Sequence, residues 1–170
     1  MSVVPLVPSL LETPDMLLRA MEHFLSDNKI QSLGLGILRQ LPYQYEDIEH
    51  LGSLGACELC GGILSRHLDD EDVITAALTY AHLLTSTETG TADNRDRMAQ
   101  EKIAEAIVQA LNVFIDEADI VAKCFQLIRD ICAESPANQD SLGRAGACEK
   151  VVSYVTRNQT DDMAISVAAH

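Results

Sequence analysis

Tryptophan is absent from this 170-residue sequence, and the other aromatic residues number only four tyrosines and three phenylalanines. Strands favour aromatic and β-branched side chains, whereas leucine, alanine and glutamate, which are abundant here, favour helices. The length is typical of one domain with a continuous core. The scarcity of aromatic residues therefore predicts a single all-α domain.

Basic residues are scarce as well. Lysine and arginine together number 12 against 26 acidic residues, which gives a formal net charge of −14. Nucleic acids and anionic membrane surfaces are bound through clusters of lysine and arginine, so we expect neither as a partner. An acidic surface instead favours a protein or peptide partner of basic or mixed charge.

Long apolar runs are missing, and the number of cysteines is odd. The apolar residues 1–11 are shorter than a membrane span, include Pro5 and Pro8, and lack the basic start of a signal peptide. The five cysteines lie within apolar patterns, which is typical of reduced thiols inside a cell. We therefore expect a cytoplasmic protein without a membrane segment.

Motifs for catalysis and cofactor binding are also missing. The sequence contains neither the GxSxG of a nucleophilic serine nor a glycine-rich phosphate loop with its downstream lysine. The five histidines show no metal-ligand spacing such as HExxH, and we expect most of them at the surface. These absences predict a protein that is not an enzyme and holds no cofactor or metal.

Two weaker signals have both a functional and a structural interpretation. Cys57 and Cys60 form a CxxC, which in a zinc or redox site would need His50 or His67 as further ligands. The pair falls on one helix face, so core packing is the favoured interpretation. The acidic runs at 69–72 and 116–119 lack the alternating pattern of a calcium loop, and we interpret them as helix starts.

An internal repeat organises the chain. Residues 51–58, LGSLGACE, match residues 142–149, LGRAGACE, at six of eight positions and 91 residues apart. In a degenerate third copy, Asn94 corresponds to Asn138, which lies 44 residues later in the chain. A period in the mid-forties indicates one structural unit that is copied and stacked. We divide the chain into units at approximately 14–42, 43–93, 94–135 and 136–170, the last of them truncated.

Apolar spacing predicts up to three helices in each unit. Short first helices are expected over 43–53 and 139–144, and second helices around Leu17, Cys57, Ala104 and Cys148. Third helices are expected from Ile30, Val73, Ile120 and Met163, which are spaced by 43, 47 and 43 residues.

The breaks between these helices are also predicted. The polar residues 85–97 are expected to form a loop that takes up the four extra residues, and residues 135–138 a turn. Gly34 and Gly36, inside the first unit's third helix, are expected to let a neighbouring helix approach closely.

The segment 138–152, NQDSLGRAGACEKVV, resembles the signature of the armadillo repeat. The resemblance covers about residues 14–170 and is clearest in units two and four. It implies a right-handed α-solenoid of three-helix repeats whose third helices line a concave groove. The two-helix HEAT type has the same range of periods and is the structural alternative.

Nuclear-import receptors of the armadillo family carry a ladder of tryptophan and asparagine on their third helices. The corresponding tryptophan positions here hold Gly36, Thr79, Gln126 and Ala169, and the asparagine positions hold Gln40, Leu83 and Asp130. The ladder is absent, so the resemblance does not extend to import signals.

The expected function is that of a non-enzymatic scaffold or adaptor that binds a protein partner along the concave third-helix face. The alternative is a regulatory or self-associating fragment of a larger multidomain protein. Self-association would use the uncapped C-terminal end, and a small-GTPase-linked signalling role rests on family analogy alone. The candidate partner-binding residues are polar positions on the third helices, namely Arg39, Gln40, Thr79, His82, Gln126, Arg129 and Asp130.

Overall fold

The computed structural model describes residues 12–86, 91–100 and 103–157. Within these residues the chain is all-helical and has no strand, which confirms the predicted all-α class. The helices of this part of the chain are α1 (Glu12–His23), α2 (Asn28–Leu38), α3 (Tyr45–Ser53), α4 (Ala56–Arg66), α5 (Glu71–Thr85), α6 (Ala92–Gln100), α7 (Ile103–Val113), α8 (Ala118–Cys132), α9 (Pro136–Ala145) and α10 (Ala147–Arg157).

The repeated Gly-Ala-Cys-Glu sequence marks the turn between two successive helices. Gly55 separates α3 from α4, and Gly146 separates α9 from α10. Both glycines have left-handed backbone, with φ of 94° and 85°, a conformation that costs glycine little and other residues more. The backbone geometry of this sharp turn therefore accounts for a glycine in both copies.

Aspartates cap two of the third helices, and the cap of α5 lies in an acidic run that was predicted to start a helix; Glu117, in the other run, precedes α8 without a side-chain cap hydrogen bond. The Asp27 carboxylate accepts a hydrogen bond of 3.0 Å from the backbone N–H of Ile30, and Asp70 accepts one of 3.1 Å from Val73. Each bond satisfies an N–H that has no partner within its own helix. The acidic run at 69–72 thus supplies a helix cap.

The predicted loop over 85–97 is wrong in its second half. Helix α6 begins at Ala92, and its Asn94 and Arg95 side chains are buried despite their polarity. Both side chains donate hydrogen bonds to backbone carbonyls of other helices. The Arg95 guanidinium, for example, donates to the Thr85 carbonyl at 3.2 Å. Residues 87–90 of that prediction lie outside the described part. The unit boundary at 93/94 falls within α6, and the predicted turn at 135–138 contains the start of α9.

The helices lie in three rows. The first-helix row contains α3, α6 and α9; the second-helix row contains α1, α4, α7 and α10; the third-helix row contains α2, α5 and α8. Each inner helix packs against its neighbours in the same row, as α5 does against α2 and α8. The rows share one apolar core that includes Leu35, Leu64, Ile74, Leu78, Ile107 and Leu111.

Buried asparagines connect successive members of the first-helix row. Asn94 on α6 donates to the carbonyls of Ile48 at 3.0 Å and Leu84 at 3.1 Å. Asn138 on α9 donates to the Arg95 carbonyl at 2.7 Å. Because a buried amide costs free energy unless it is hydrogen-bonded, these bonds fix how each unit sits on the preceding one.

The two glycines of α2 have different roles. A methyl group added at Gly34 would lie 2.3 Å from the Met21 sulfur, so the prediction that this glycine permits close packing is confirmed. The same prediction is wrong for Gly36, where no atom lies within 4 Å of an added methyl group.

Two predictions about polar and sulfur side chains have opposite outcomes. Cys57 and Cys60 lie fully buried in the core, as the packing interpretation predicted. His67 was expected near the surface but is buried; its Nδ1 lies 2.7 Å from Asn28 Oδ1 and its Nε2 2.6 Å from the Leu25 carbonyl. It therefore connects the second unit to the first.

The third helix expected from Met163 lies outside the described residues. None of the helices in the described ranges is long and apolar enough to cross a membrane.

Candidate functional site

The solvent side of α2, α5 and α8 is here called the third-helix face, and the seven predicted contact residues belong to these helices or directly follow α2. Four of them come together where α5 packs against α8. These are His82 from α5 and Gln126, Arg129 and Asp130 from α8. Gln126 and Asp130 follow His82 by 44 and 48 residues along the chain. They contact its ring because α5 and α8 lie side by side.

His82 bridges the two helices through both ring nitrogens. Its Nδ1 contacts a carboxylate oxygen of Asp130, and its Nε2 lies 3.1 Å from the amide nitrogen of Gln126. A carboxylate can only accept and an amide nitrogen can only donate. The network therefore assigns the proton to Nδ1, with Nε2 accepting from Gln126.

Asp130 does not present its charge to a partner, contrary to the expectation that it is an exposed polar position. Its side chain is only 1% exposed, and Arg129 donates to its second oxygen from Nε at 3.2 Å and Nη2 at 3.1 Å. A buried carboxylate is tolerated when its charge is paired and its oxygens are hydrogen-bonded. Asp130 consequently orients His82, which is 32% exposed, and Arg129, which is 43% exposed.

The other three predicted residues stand apart from this network. Thr79 donates to the Thr75 carbonyl at 2.7 Å, and Gln40 donates to the Gly36 carbonyl at 2.9 Å, so both bond to backbone one turn earlier. Arg39, at the C-terminal end of α2, is exposed and borders a pocket.

That pocket has a volume of about 330 Å³, and Leu83, the residue after His82, is one of its lining residues. Its walls come mainly from the connection between α2 and α3. Residues 43–53 were predicted as a helix, and the pocket was not predicted; the proline and the two tyrosines clustered at 42–45, in a chain poor in aromatic residues, were the available signal. The lining residues are Arg39, Leu41, Pro42, Tyr43, Gln44, Tyr45, Ile48 and Leu83.

Two phenols close to the pocket are held neutral. Burial raises the pKa of Tyr43 to about 12 and raises that of Tyr80 still further. The two hydroxyls influence one another's pKa, yet neither has a hydrogen bond of standard geometry to another described residue. Tyr43 therefore lines the pocket as a neutral phenol, whereas Tyr80 is fully buried in the core.

The buried thiols are unsuited to chemistry. Burial, followed by the neighbouring Cys57 and Glu58, raises the pKa of the Cys60 thiol well above its usual value. A thiol must lose its proton to act as a nucleophile or a zinc ligand. Among the described residues no three histidine, cysteine or acidic side chains are grouped so as to hold a metal ion.

Comparisons of this chain with protein-family models, with curated proteins and with solved structures gave no match.

Proposed function

We propose that this chain is a non-enzymatic protein-interaction module, built as a right-handed armadillo-like solenoid, that binds a protein or peptide partner along the third-helix face. Three parallel rows of helices and a repeated Gly-Ala-Cys-Glu turn support the repeat architecture. Stacked helical repeats present one continuous face of equivalent helices, which is the surface such proteins use for binding.

One observation carries the proposal: a pre-oriented polar network lies on the third-helix face, and Leu83, the residue after His82, lines a pocket of mixed polar and apolar character. Asp130 holds His82 and Arg129 in place, so little side-chain entropy is lost when a partner binds them. The pocket beside Leu83 offers a recess for one apolar or aromatic side chain. Rigid polar groups around an apolar anchor site are typical of the energetic centre of a protein interface.

The charges of this face favour a partner of mixed charge. Arg39 and Arg129 are exposed cations at this face, and the carboxylate of Asp130 is already paired. An acidic side chain of the partner would bind these arginines, and an apolar neighbour would enter the pocket. The net charge of −14 over the whole chain attracts basic parts of the same partner at longer range.

Matched charge variants test this proposal. The double variant Arg39→Glu/Arg129→Gln alters the face, and Arg66→Glu/Arg144→Gln makes the same change in net charge at exposed positions on α4 and α9. We expect the face variant to recover partners from lysate at least tenfold less well than the native chain, since two charged contacts at about 1 kcal/mol each are lost.

The matched control should recover the same partners at the native level. Equal recovery by both double variants would reject the third-helix face as the binding surface.

A second candidate is self-association. Val152 on α10 is 64% exposed, and it borders an apolar groove between α8, α9 and α10. Exposed apolar patches of this kind mark contact surfaces. A mass that rises with concentration in light scattering would favour this candidate, and a constant monomer mass would reject it.

A further inference from the structure

A basic residue occupies the same position in three successive third helices. The first residues of α2, α5 and α8 are spaced by 43 and 47 residues, and the same spacings relate Arg39 to His82 and His82 to Arg129. Arg39 directly follows α2, while His82 and Arg129 lie in the last turns of α5 and α8. Because α5 packs against both α2 and α8, the three side chains form one line across the C-terminal ends of these helices, here called the basic row.

The basic row lies open to a partner although the chain as a whole is acidic. The Arg39 side chain is exposed, and those of His82 and Arg129 are 32% and 43% exposed. The helix dipole favours a basic residue in the last turn of a helix, but it does not select the same position in each unit. The shared position instead favours a ligand that crosses all three helices.

Charge is concentrated at the two ends of the basic row. In the middle, His82 directs its Nδ1 proton to Asp130, and its Nε2 accepts from Gln126, so the ring is neutral in this network. The amide nitrogen of Gln126 has a second N–H, and the Gln126 side chain is half-buried. From α2 to α8 the row therefore presents a cation, a hydrogen-bond donor and a second cation.

The spacing of the helices sets the length of the ligand. Packed helices lie about 8–10 Å apart, so the two ends of the basic row are separated by about 16–20 Å. An extended chain rises about 3.3 Å per residue and covers this distance with about five or six residues. Two side chains of one extended segment can therefore reach both arginines.

The pocket of about 330 Å³ lies at the Arg39 end of the basic row. Arg39 is one of its lining residues, and Leu83, which follows His82, is another. Tyr45 and Ile48 supply part of the apolar wall. A ligand side chain that enters this pocket therefore belongs to a residue close to the one that meets Arg39.

We propose that the basic row binds an extended segment of a partner protein through two acidic side chains about five or six residues apart. One acid pairs with Arg39 and the other with Arg129. An apolar residue near the first acid enters the pocket, and a backbone carbonyl between the acids accepts from Gln126. The inference rests on the proposed function, since it takes the third-helix face as the binding surface and names the chemistry of its partner.

Synthetic peptides test the spacing directly. The full chain is titrated into fluorescein-labelled peptides of serine and glycine, and binding is followed by fluorescence anisotropy. In the spaced peptide, two glutamates are about six residues apart, with a phenylalanine near each so that either chain direction places one at the pocket. The adjacent peptide has the same composition and two neighbouring glutamates. We expect the spaced peptide to bind at least about tenfold more tightly, because only its charges reach both arginines.

Paired substitutions assign each acid to its arginine. Changing one glutamate of the spaced peptide to glutamine should weaken binding to the native chain about fivefold. The same change should have no further effect on Arg39→Gln or on Arg129→Gln, whichever variant lacks the partner of that glutamate. Arg66→Gln, at an exposed position on α4, is the matched control and should bind like the native chain. The peptide changes leave the protein untouched, so they remain decisive if a variant is destabilised.

Two results would overturn this inference. Equal affinity for the spaced and the adjacent peptides would show that the face binds acids without this spacing. Absence of binding to either peptide, with partners still recovered from lysate through the same face, would assign the face to a folded partner surface. Failure of the proposed function is distinct, because there the face variant recovers lysate partners as well as its matched control does.

Discussion

Buried polar side chains set the contacts between units at the scale of single residues. Asn94 is held by two backbone carbonyls and lies directly over Gly52 of α3. A methyl group added at Gly52 would lie 1.6 Å from the Asn94 amide oxygen. The glycine is therefore required by the asparagine on the next unit, and the two positions act as a pair.

Replacing Gly52 by alanine should destabilise the protein by about 2–4 kcal/mol, since the methyl group displaces Asn94 from its buried hydrogen bonds. Urea denaturation measures this change. Gly36→Ala is the control: it also lies in a helix, has no atom within 4 Å of the added methyl group, and should stabilise by about 0.5–1 kcal/mol. Equal effects of the two substitutions would contradict the pairing.

Asp130 is the second residue whose burial has a clear energetic consequence. Asp130→Asn removes the charge opposite Arg129 and turns an amide donor toward a neighbouring donor, so we expect a loss of about 1–3 kcal/mol in the free energy of unfolding. Asp119→Asn on the same helix breaks an exposed pair with Lys123 and should change stability by less than about 0.5 kcal/mol. A similar small effect at Asp130 would contradict its structural role.

At the scale of elements, the cap of α5 makes stability depend on pH. The N–H of Val73, and next the Asn28 amide, hold the pKa of Asp70 below its usual value. Because the folded pKa is the lower one, ionised Asp70 stabilises the fold above its unfolded pKa of about 3.9, and this contribution is lost as pH falls through the folded pKa.

Asp70→Asn keeps an oxygen that caps the helix but cannot ionise. Between about pH 5 and pH 2 the native chain should therefore lose more stability than this variant, by less than about 1 kcal/mol because Asp70 is largely solvated. Denaturation at several pH values measures the difference. Asp69→Asn, at an exposed neighbouring position, is the charge-matched control, and identical pH profiles of the native chain and Asp70→Asn would refute the cap effect.

Some elements could be predicted from sequence because local chemistry determines them. The glycines at 55 and 146 mark left-handed turns, and Asp27 and Asp70 mark helix starts. Helix α6 could not be predicted in this way, because its buried face is polar and is satisfied only by carbonyls of another unit. A search for apolar periodicity cannot detect such a face.

The candidate site was predictable only in part for the same reason. His82, Gln126 and Asp130 were predicted as candidate contact residues, but their contact with one another and the burial of Asp130 follow from the packing of α5 against α8, which no local pattern records. The pocket at Tyr43 and Tyr45 depends on how the α2–α3 connection folds back toward Leu83. Contacts between units therefore required coordinates.

At the scale of the whole molecule, each row of helices offers one face, and the rows differ in chemistry. The third-helix row carries the His82 network, and its Leu83 lines the pocket formed mainly by the α2–α3 connection. The second-helix row presents exposed polar residues such as Gln109 on α7. If the third-helix row is the binding surface, a partner must approach Thr79 and remain distant from Gln109.

Photocrosslinking with p-benzoylphenylalanine at position 79 or position 109 of the full chain measures this most directly. Both positions lie in the middle of a helix and accept a large side chain at the surface. The account predicts a crosslinked partner from position 79 and none from position 109. Equal crosslinking from both positions, or crosslinking from position 109 alone, would contradict it.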